Sequence, residues 1–389
     1  MDTLKAPSFA ARMRSELCAL ETRAQLRSLE INSGVNLCSN DYLGLATDPR
    51  LQEAVVEGVR RTSQTGATGS RLLSGNSRHW EELEDEFAEF AGTTDALYFS
   101  SGYAANVGLL SSLLQPEDLV FSDSLNHASI VDGIRLAGTR KVIYPHRDVR
   151  ALGEELEGRR DEPGCKLIVT ESLFSMDGDR APLQELARLA QAYGAGLIVD
   201  EAHATGVHGP QGRGLAAEAG IVNEALAIVH TCGKALASMG AFVCCGTSLK
   251  QFLINRARTF IFSTAMPPYF AHQIRAALRI ARQAGPERTG LGNAAEDLRR
   301  RLQGEGFDTG TSASQIVPII LGENETALHF AAQLRNSGFA VRAIRPPTVR
   351  AGTSRLRLSL TSKVTAEEID KLVAALLLAR KTLGLAWHA

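Results

Sequence analysis

The sequence predicts an α/β fold: a large domain built on a mostly parallel sheet flanked by helices, then a small α+β domain, with a helical arm in front. Three observations carry this. Between residues 95 and 246, short apolar runs alternate with helical stretches, the rhythm of a parallel sheet covered on both faces. One run, Leu197-Ile-Val, is flanked by glycines and stops abruptly at Asp200, as a strand buried on both faces does. After Gly285-Pro286 and a polar stretch to Gly292 the order becomes helix, strand, helix, strand, strand, helix, an α+β pattern with a small antiparallel sheet. The expected domains are therefore 1–45 (arm), 46–285 (large) and 286–389 (small).

Taken in order, residues 5–30 read as one helix, with leucines at 17, 20, 26 and 29 and arginines between them. A short strand then runs into a turn over 36–45. Residues 66–76 form a glycine- and hydroxyl-rich loop, a composition that suits ligand approach but also any loop. A helix over 79–91 places Leu83, Phe87 and Phe90 on one face. Strands follow at 96–99, 119–121, 142–144, 167–171, 197–199, 227–229 and 241–245, with helices at 104–114 and from Pro182 to 193. A long helix ends near 283. In the last domain, strands fall at 316–321, 340–344 and 355–360, and a helix at 366–383 stops at Gly384.

Composition narrows the function. A chain of 389 residues is too long for one core. Hydrophobic content of 44% and charged content of 22% are those of a soluble globular protein. A net charge of −1 gives no electrostatic case for nucleic acid or an anionic membrane. No apolar run reaches the ~18 residues of a membrane span, and no secretory signal opens the chain. The six cysteines show no metal-ligand spacing, and several lie in apolar runs where Cys acts as a small hydrophobe. A reducing cytoplasm is the expected location.

The chemistry gathers at strand ends. Asp200 and His203 follow one run, and His230-Thr-Cys-Gly-Lys234 follows the next. In open α/β sheets that edge is where ligands bind. An amine and a carboxylate delivered there suit pyridoxal 5′-phosphate: the lysine forms an imine with the aldehyde, and the carboxylate keeps the ring nitrogen protonated. From these residues alone, a buried Asp–Lys pair that only ties two strands together fits as well. Ser100-Ser-Gly-Tyr103 joins a strand to a helix N-terminus, an arrangement whose free amides hold anions, here the cofactor phosphate. An ordinary βα turn has the same form, and no GxGxxG accompanies it. His127 also follows a strand, where an imidazole can stack on a flat ring. Glu171 and Ser175 reach the same edge.

Together these stretches resemble the α-oxoamine synthases, pyridoxal-phosphate-dependent enzymes of fold type I. The likeness runs from about Asn36 to Leu378. It rests on Asn40-Asp-Tyr-Leu-Gly, Ser101-Gly-Tyr-Ala-Ala-Asn, Asn126-His-Ala-Ser, Ser175-Met-Asp-Gly-Asp, Asp200-Glu-Ala-His, Gly233-Lys, Phe262-Ser-Thr-Ala-Met-Pro-Pro and Arg355-Leu-Arg-Leu. It implies a seven-stranded, mostly parallel sheet and a homodimer with shared active sites. Lys234, His127 and Asp200 would be catalytic: Lys234 as imine partner and base, Asp200 on the ring nitrogen, His127 stacked on the ring. His203 and Ser175 would bond the phenolic oxygen, and Glu171 would line the site. Gly102, Tyr103 and Thr231 would hold the phosphate side, with Thr264 supplied to the neighbouring subunit. Arg357 would bind the amino-acid carboxylate; Arg27, Arg345 and Thr348 would face the acyl substrate. Ile344-Arg-Pro-Pro-Thr-Val points to the members that join L-alanine to a pimeloyl thioester, carried by coenzyme A or an acyl carrier protein, rather than those using glycine or serine. Ala67, where a glycine is common in the family, and the sparser glycine around Lys234 are the local departures.

Overall fold

The computed structural model describes residues 8–384. It contains two compact units. The larger comprises Asn40–Gly292 and residues 361–363; the smaller comprises the described residues up to Ser39, Asn293–Leu360 and those from Val364 onward. The divisions thus fall near 39 and 292, where sequence placed them at 45 and 285, and the N-terminal arm groups with the C-terminal residues. Gly285-Pro286 does not make a linker. It opens the helix Gly285–Gly304, where a proline in the first turn forfeits no hydrogen bond.

The smaller unit holds two sheets. β1 (Val35–Asn36) pairs in parallel with β10 (Phe339–Ala340), while β9 (Ile316–Gly322), β11 (Ala343–Ile344) and β12 (Ser354–Ser359) form an antiparallel sheet in the order β11-β12-β9. The single strand expected at 340–344 is therefore two pieces serving different sheets. The last helix, Ala366–Thr382, starts on a capping box of Thr365 and Glu368, each satisfying the other's free amide. Gly384, at φ +64°, follows it as expected. The helix expected over 5–30 is shorter. Its residues 5–7 lie outside the described residues, and the helix spans Phe9–Thr22. It ends because the next carbonyls bond side chains: the Arg345 guanidinium donates to the carbonyls of Ala24 and Leu26. Leu26 and Leu29 are exposed, so no packing rewards a longer helix.

The larger unit is built on seven strands: β2 (Asp95–Phe99), β3 (Leu119–Asp123), β4 (Arg140–Tyr144), β5 (Lys166–Glu171), β6 (Gly196–Asp200), β7 (Ala227–Thr231) and β8 (Ala241–Cys245). Their order is β2-β8-β7-β6-β5-β3-β4, and only β8 runs antiparallel to its neighbours. Alternate residues feed opposite faces, as the strand period requires. Val120, Val169, Ile198, Val229 and Val243 pack in one core with Leu109 and Ile130. Phe121, Ile168, Leu197, Val199 and Ile228 pack in the other with Leu152 and Leu186. Both faces being covered, the strands read as unbroken apolar runs. The six like-directed strands end on one edge, so Phe99, Asp123, Glu171, Asp200 and Thr231 arrive there together.

That edge is braced by a charged clamp that sequence reading did not find. His146 Nδ1 bonds Asp123 Oδ1 at 2.9 Å and its Nε2 bonds Asp179 Oδ2 at 2.9 Å. Arg147 adds bonds to both carboxylates, at 2.9 and 3.0 Å. Burial lowers the imidazole's proton affinity, but the two carboxylates outweigh it and the pKa is pushed up to about 9. A folded-state pKa above the ordinary ~6.5 stabilises the fold fully below that value and ceases to do so as pH rises through about 9. Thermal melting should therefore drop by a few degrees between pH 7 and pH 9.5. In His146→Gln that part of the pH dependence should disappear.

Candidate active site

A cavity of about 410 Å³ opens at the carboxyl edge of the large sheet. Its walls bring together most of the residues that sequence predicted for the cofactor: Gly102, Tyr103, His127, Glu171, Asp200, His203, Thr231 and Lys234. Each is delivered by a strand end or the turn after it. Glu171 closes β5 and Asp200 closes β6, and the two are register partners on adjacent strands. Thr231 closes β7, and Lys234 lies in the turn that leads on to β8. Gly102 and Tyr103 open the helix Gly102–Leu113, with Ser101 capping it through a 3.0 Å bond to the Ala104 amide. A methyl at Gly102 would lie 2.6 Å from Thr231 Cγ2, so only glycine leaves that cradle open.

Hydrogen bonds fix the acid and the imidazoles. Asp200, 4% exposed, accepts from Asn106 Nδ2 at 2.7 Å and from the Ala202 amide at 2.9 Å. His127 Nδ1 lies 2.8 Å from Ser129 Oγ, and the Ser129 amide donates to it at 3.2 Å. Partial desolvation at the cavity wall lowers the His127 pKa; Asp200 opposes the shift and Lys234 adds to it. His203 Nδ1 bonds Tyr42 Oη at 2.6 Å. Glu171 is fully enclosed, and burial, then the Asp200 charge, raises its pKa well above the ordinary carboxylate range against the pull of Lys234 and the His127 and Ser175 amides. Its Oε1 is buried without a hydrogen-bond partner. A carboxyl so placed is biased toward its protonated form.

The other predicted residues lie elsewhere. Ser175 does not line the cavity; it sits in the loop beyond β5. Thr264 pairs with Ser70 in an isolated bridge and lines a separate small cleft with Arg71. In the smaller unit, Arg27 Nη2 donates to Thr348 Oγ1 at 3.1 Å. Arg345 belongs to the same cluster, its pKa lowered by burial and by the Arg27 charge. Arg357 is buried, with Nη1 donating to Ser359 Oγ at 2.6 Å. Tyr42, Asn106 and Ser129 were not anticipated, although each lies inside a stretch that stood out in sequence.

An amine, an enclosed carboxylate, an imidazole and a glycine turn at a helix N-terminus make a site for a phosphorylated aldehyde cofactor. The aminotransferase class I and II family matches residues 32–376, and the chain belongs to it. Within that family it is an α-oxoamine synthase, a pyridoxal-phosphate-dependent acyltransferase. It is 47% identical to the 8-amino-7-oxononanoate synthase of Geobacter sulfurreducens over 90% of both chains, and 46% identical to that of Methylococcus capsulatus over 88% of both. Among solved structures, a serine palmitoyltransferase from S. paucimobilis with bound PLP–myriocin matches at TM-score 0.90 and 29% identity, covering 98% of this chain and 100% of that one. An 8-amino-7-oxononanoate synthase from Francisella tularensis matches at 0.78 and 29%, covering 90% and 98%. The cofactor is pyridoxal 5′-phosphate, and the residues present fit it: the cradle at Gly102 is open and the unpartnered Glu171 Oε1 faces no protein donor.

Two measurements check this electrostatic and steric account. Infrared difference spectra of wild type against Glu171→Gln should show the carbonyl band of a protonated carboxyl at neutral pH, lost in the variant. Gly102→Ala should weaken cofactor retention by about tenfold in a binding titration, the cost of an overpacked methyl being ~1–3 kcal/mol.

Proposed function

We propose that the enzyme condenses L-alanine with a pimeloyl thioester, giving 8-amino-7-oxononanoate, CO2 and the free thiol, a step of biotin biosynthesis. The observation that carries this is Lys234, Asp200 and His127 around one cavity in a chain 47% identical to a protein of that name. Bound at this site, pyridoxal phosphate would supply an electron sink for the carbanion formed at the amino-acid Cα.

The chain's own residues would do the rest. Lys234 would hold the cofactor at rest, then take and return the Cα proton; burial beside a cationic ring brings an amine's pKa toward a useful range. Asp200, fixed by Asn106 and Ala202, would keep the ring nitrogen protonated. His127 would stack on the ring and donate to the thioester oxygen as it gains charge, a contribution of ~3 kcal/mol in comparable sites. His203, anchored by Tyr42, and Ser175 would flank the phenolic oxygen. Gly102, Tyr103 and Thr231 would hold the phosphate. Arg357 would take the amino-acid carboxylate through a bidentate fork. Arg27 and Arg345, like charges held beside Thr348, would receive the acyl chain, whose far carboxylate suits such a pair.

The functional unit would be a cytoplasmic homodimer, with Thr264 reaching the partner's phosphate site. Exposure of Leu73 (84%) and Phe262 (71%) supports a covered face there. No helix of the described residues is long and apolar enough to cross a membrane. An acyl carrier protein would dock by its acidic surface near Arg345 and Arg350.

Product analysis with alanine, glycine and serine against pimeloyl-coenzyme A and pimeloyl carrier protein tests this reading. Alanine should give 8-amino-7-oxononanoate at a rate at least about tenfold above the others. Faster turnover of glycine or serine would reassign the enzyme within its family. Lys234→Ala should lose both turnover and the visible absorbance of the bound cofactor, and His127→Ala should lower kcat by ~10²-fold.

A further inference from the structure

We infer that Asn106 is a positioning residue that transmits the acceptor-only character of the Asp200 carboxylate to His127 through Ser129, fixing the neutral imidazole with its proton on Nε2. Asn106 is 2% exposed and sits one turn into the helix behind the glycine cradle. Its Nδ2 makes two bonds, to Asp200 Oδ2 at 2.7 Å and to Ser129 Oγ at 2.9 Å. An ionised carboxylate offers no hydrogen, so the amide must turn its NH₂ group toward Asp200. The second N–H then occupies the Ser129 oxygen as an acceptor. The hydroxyl proton of Ser129 is left to donate to the remaining neighbour, His127 Nδ1, 2.8 Å away. The Ser129 backbone amide points at the same nitrogen from 3.2 Å. With two donors on Nδ1, the ring's own proton can reside only on Nε2.

The charges around the ring agree with a neutral imidazole. Partial desolvation of the ring and the nearby Lys234 disfavour a cation more than Asp200 favours one. All three linking side chains are buried, where such a network is strongest and a missing member costs most. The part this arrangement plays in turnover rests on the proposed condensation, in which an N–H on Nε2 is the donor for the thioester oxygen. The hydrogen-bond order itself rests on no substrate.

The test uses the full-length holoenzyme labelled with ¹⁵N-histidine, whose imidazole nitrogen shifts and one-bond couplings report the tautomer. Wild-type His127 should be neutral with its proton on Nε2 at pH 7. In Asn106→Leu and in Ser129→Ala, His127 should shift toward a mixture of tautomers, while the His146 and His230 signals stay in place and certify the fold. kcat should fall about tenfold in both variants, with KM for the amino acid within twofold. A wild-type proton on Nδ1 would overturn the proposal. So would His127 signals unchanged in both variants, since the Ser129 backbone amide would then hold the ring unaided. Should Asn106→Leu fail to fold, Ser129→Ala carries the same comparison. Failure of the condensation reading would appear separately, as the wrong product from wild type with the tautomer intact.

Discussion

Enclosing the Asp200 carboxylate is the constraint on which the large unit depends. A charge taken out of water is costly unless donors replace the lost hydration. Here the replacements come from two directions, the Asn106 amide on one oxygen and the Ala202 backbone on the other. A second carboxyl, Glu171, ends the adjacent strand in register. Two neighbouring buried acids cannot both ionise cheaply, and Glu171 is the one pushed toward its neutral form. The sheet thus delivers two carboxyls to one cavity from positions that look equivalent in sequence, and their surroundings bias one of them toward its neutral form.

A further acid supports them from behind. Glu201, next along the chain, is fully buried and accepts from Ser172 Oγ at 2.8 Å and from the Leu215 and Ala216 amides at 3.0 and 2.5 Å. It ties the loops after β5 and β6 to the helix Leu215–Glu218. Together with the His146 clamp on Asp123 and Asp179, it ties down the loops along that edge. Loops that carry function work best on a rigid scaffold, and here the scaffold is polar as well as apolar.

How far the site was legible in sequence depended on how local its signals are. Asp200, Glu171 and Lys234 stand at the ends of apolar runs or just beyond them, where a change from apolar to polar marks both the strand boundary and the functional edge. Asn106 offers no such mark: inside a helix it reads as any polar residue, and its partners lie at 129 and 200. Tyr42 meets His203 across 161 positions. The arm ends at Thr22 because Arg345, from far along the chain, takes the carbonyls of Ala24 and Leu26, and the run at 340–344 divides because two sheets share it. What the sequence concealed is in each case a contact between distant segments.

Because β8 reverses direction, the chain reaches it from β7 by a loop over residues 232–240 and not by a helical crossover. That connection is laced: the Cys232 amide bonds the Gly240 carbonyl at 2.8 Å, the Ser238 amide bonds the Cys232 carbonyl at 2.9 Å, and Tyr98 Oη holds the Met239 carbonyl at 3.0 Å. Lys234 therefore rides on a connection bonded across its base. An aldehyde bound in this cavity would meet an amine whose reach is set by its own methylene tether from that laced connection.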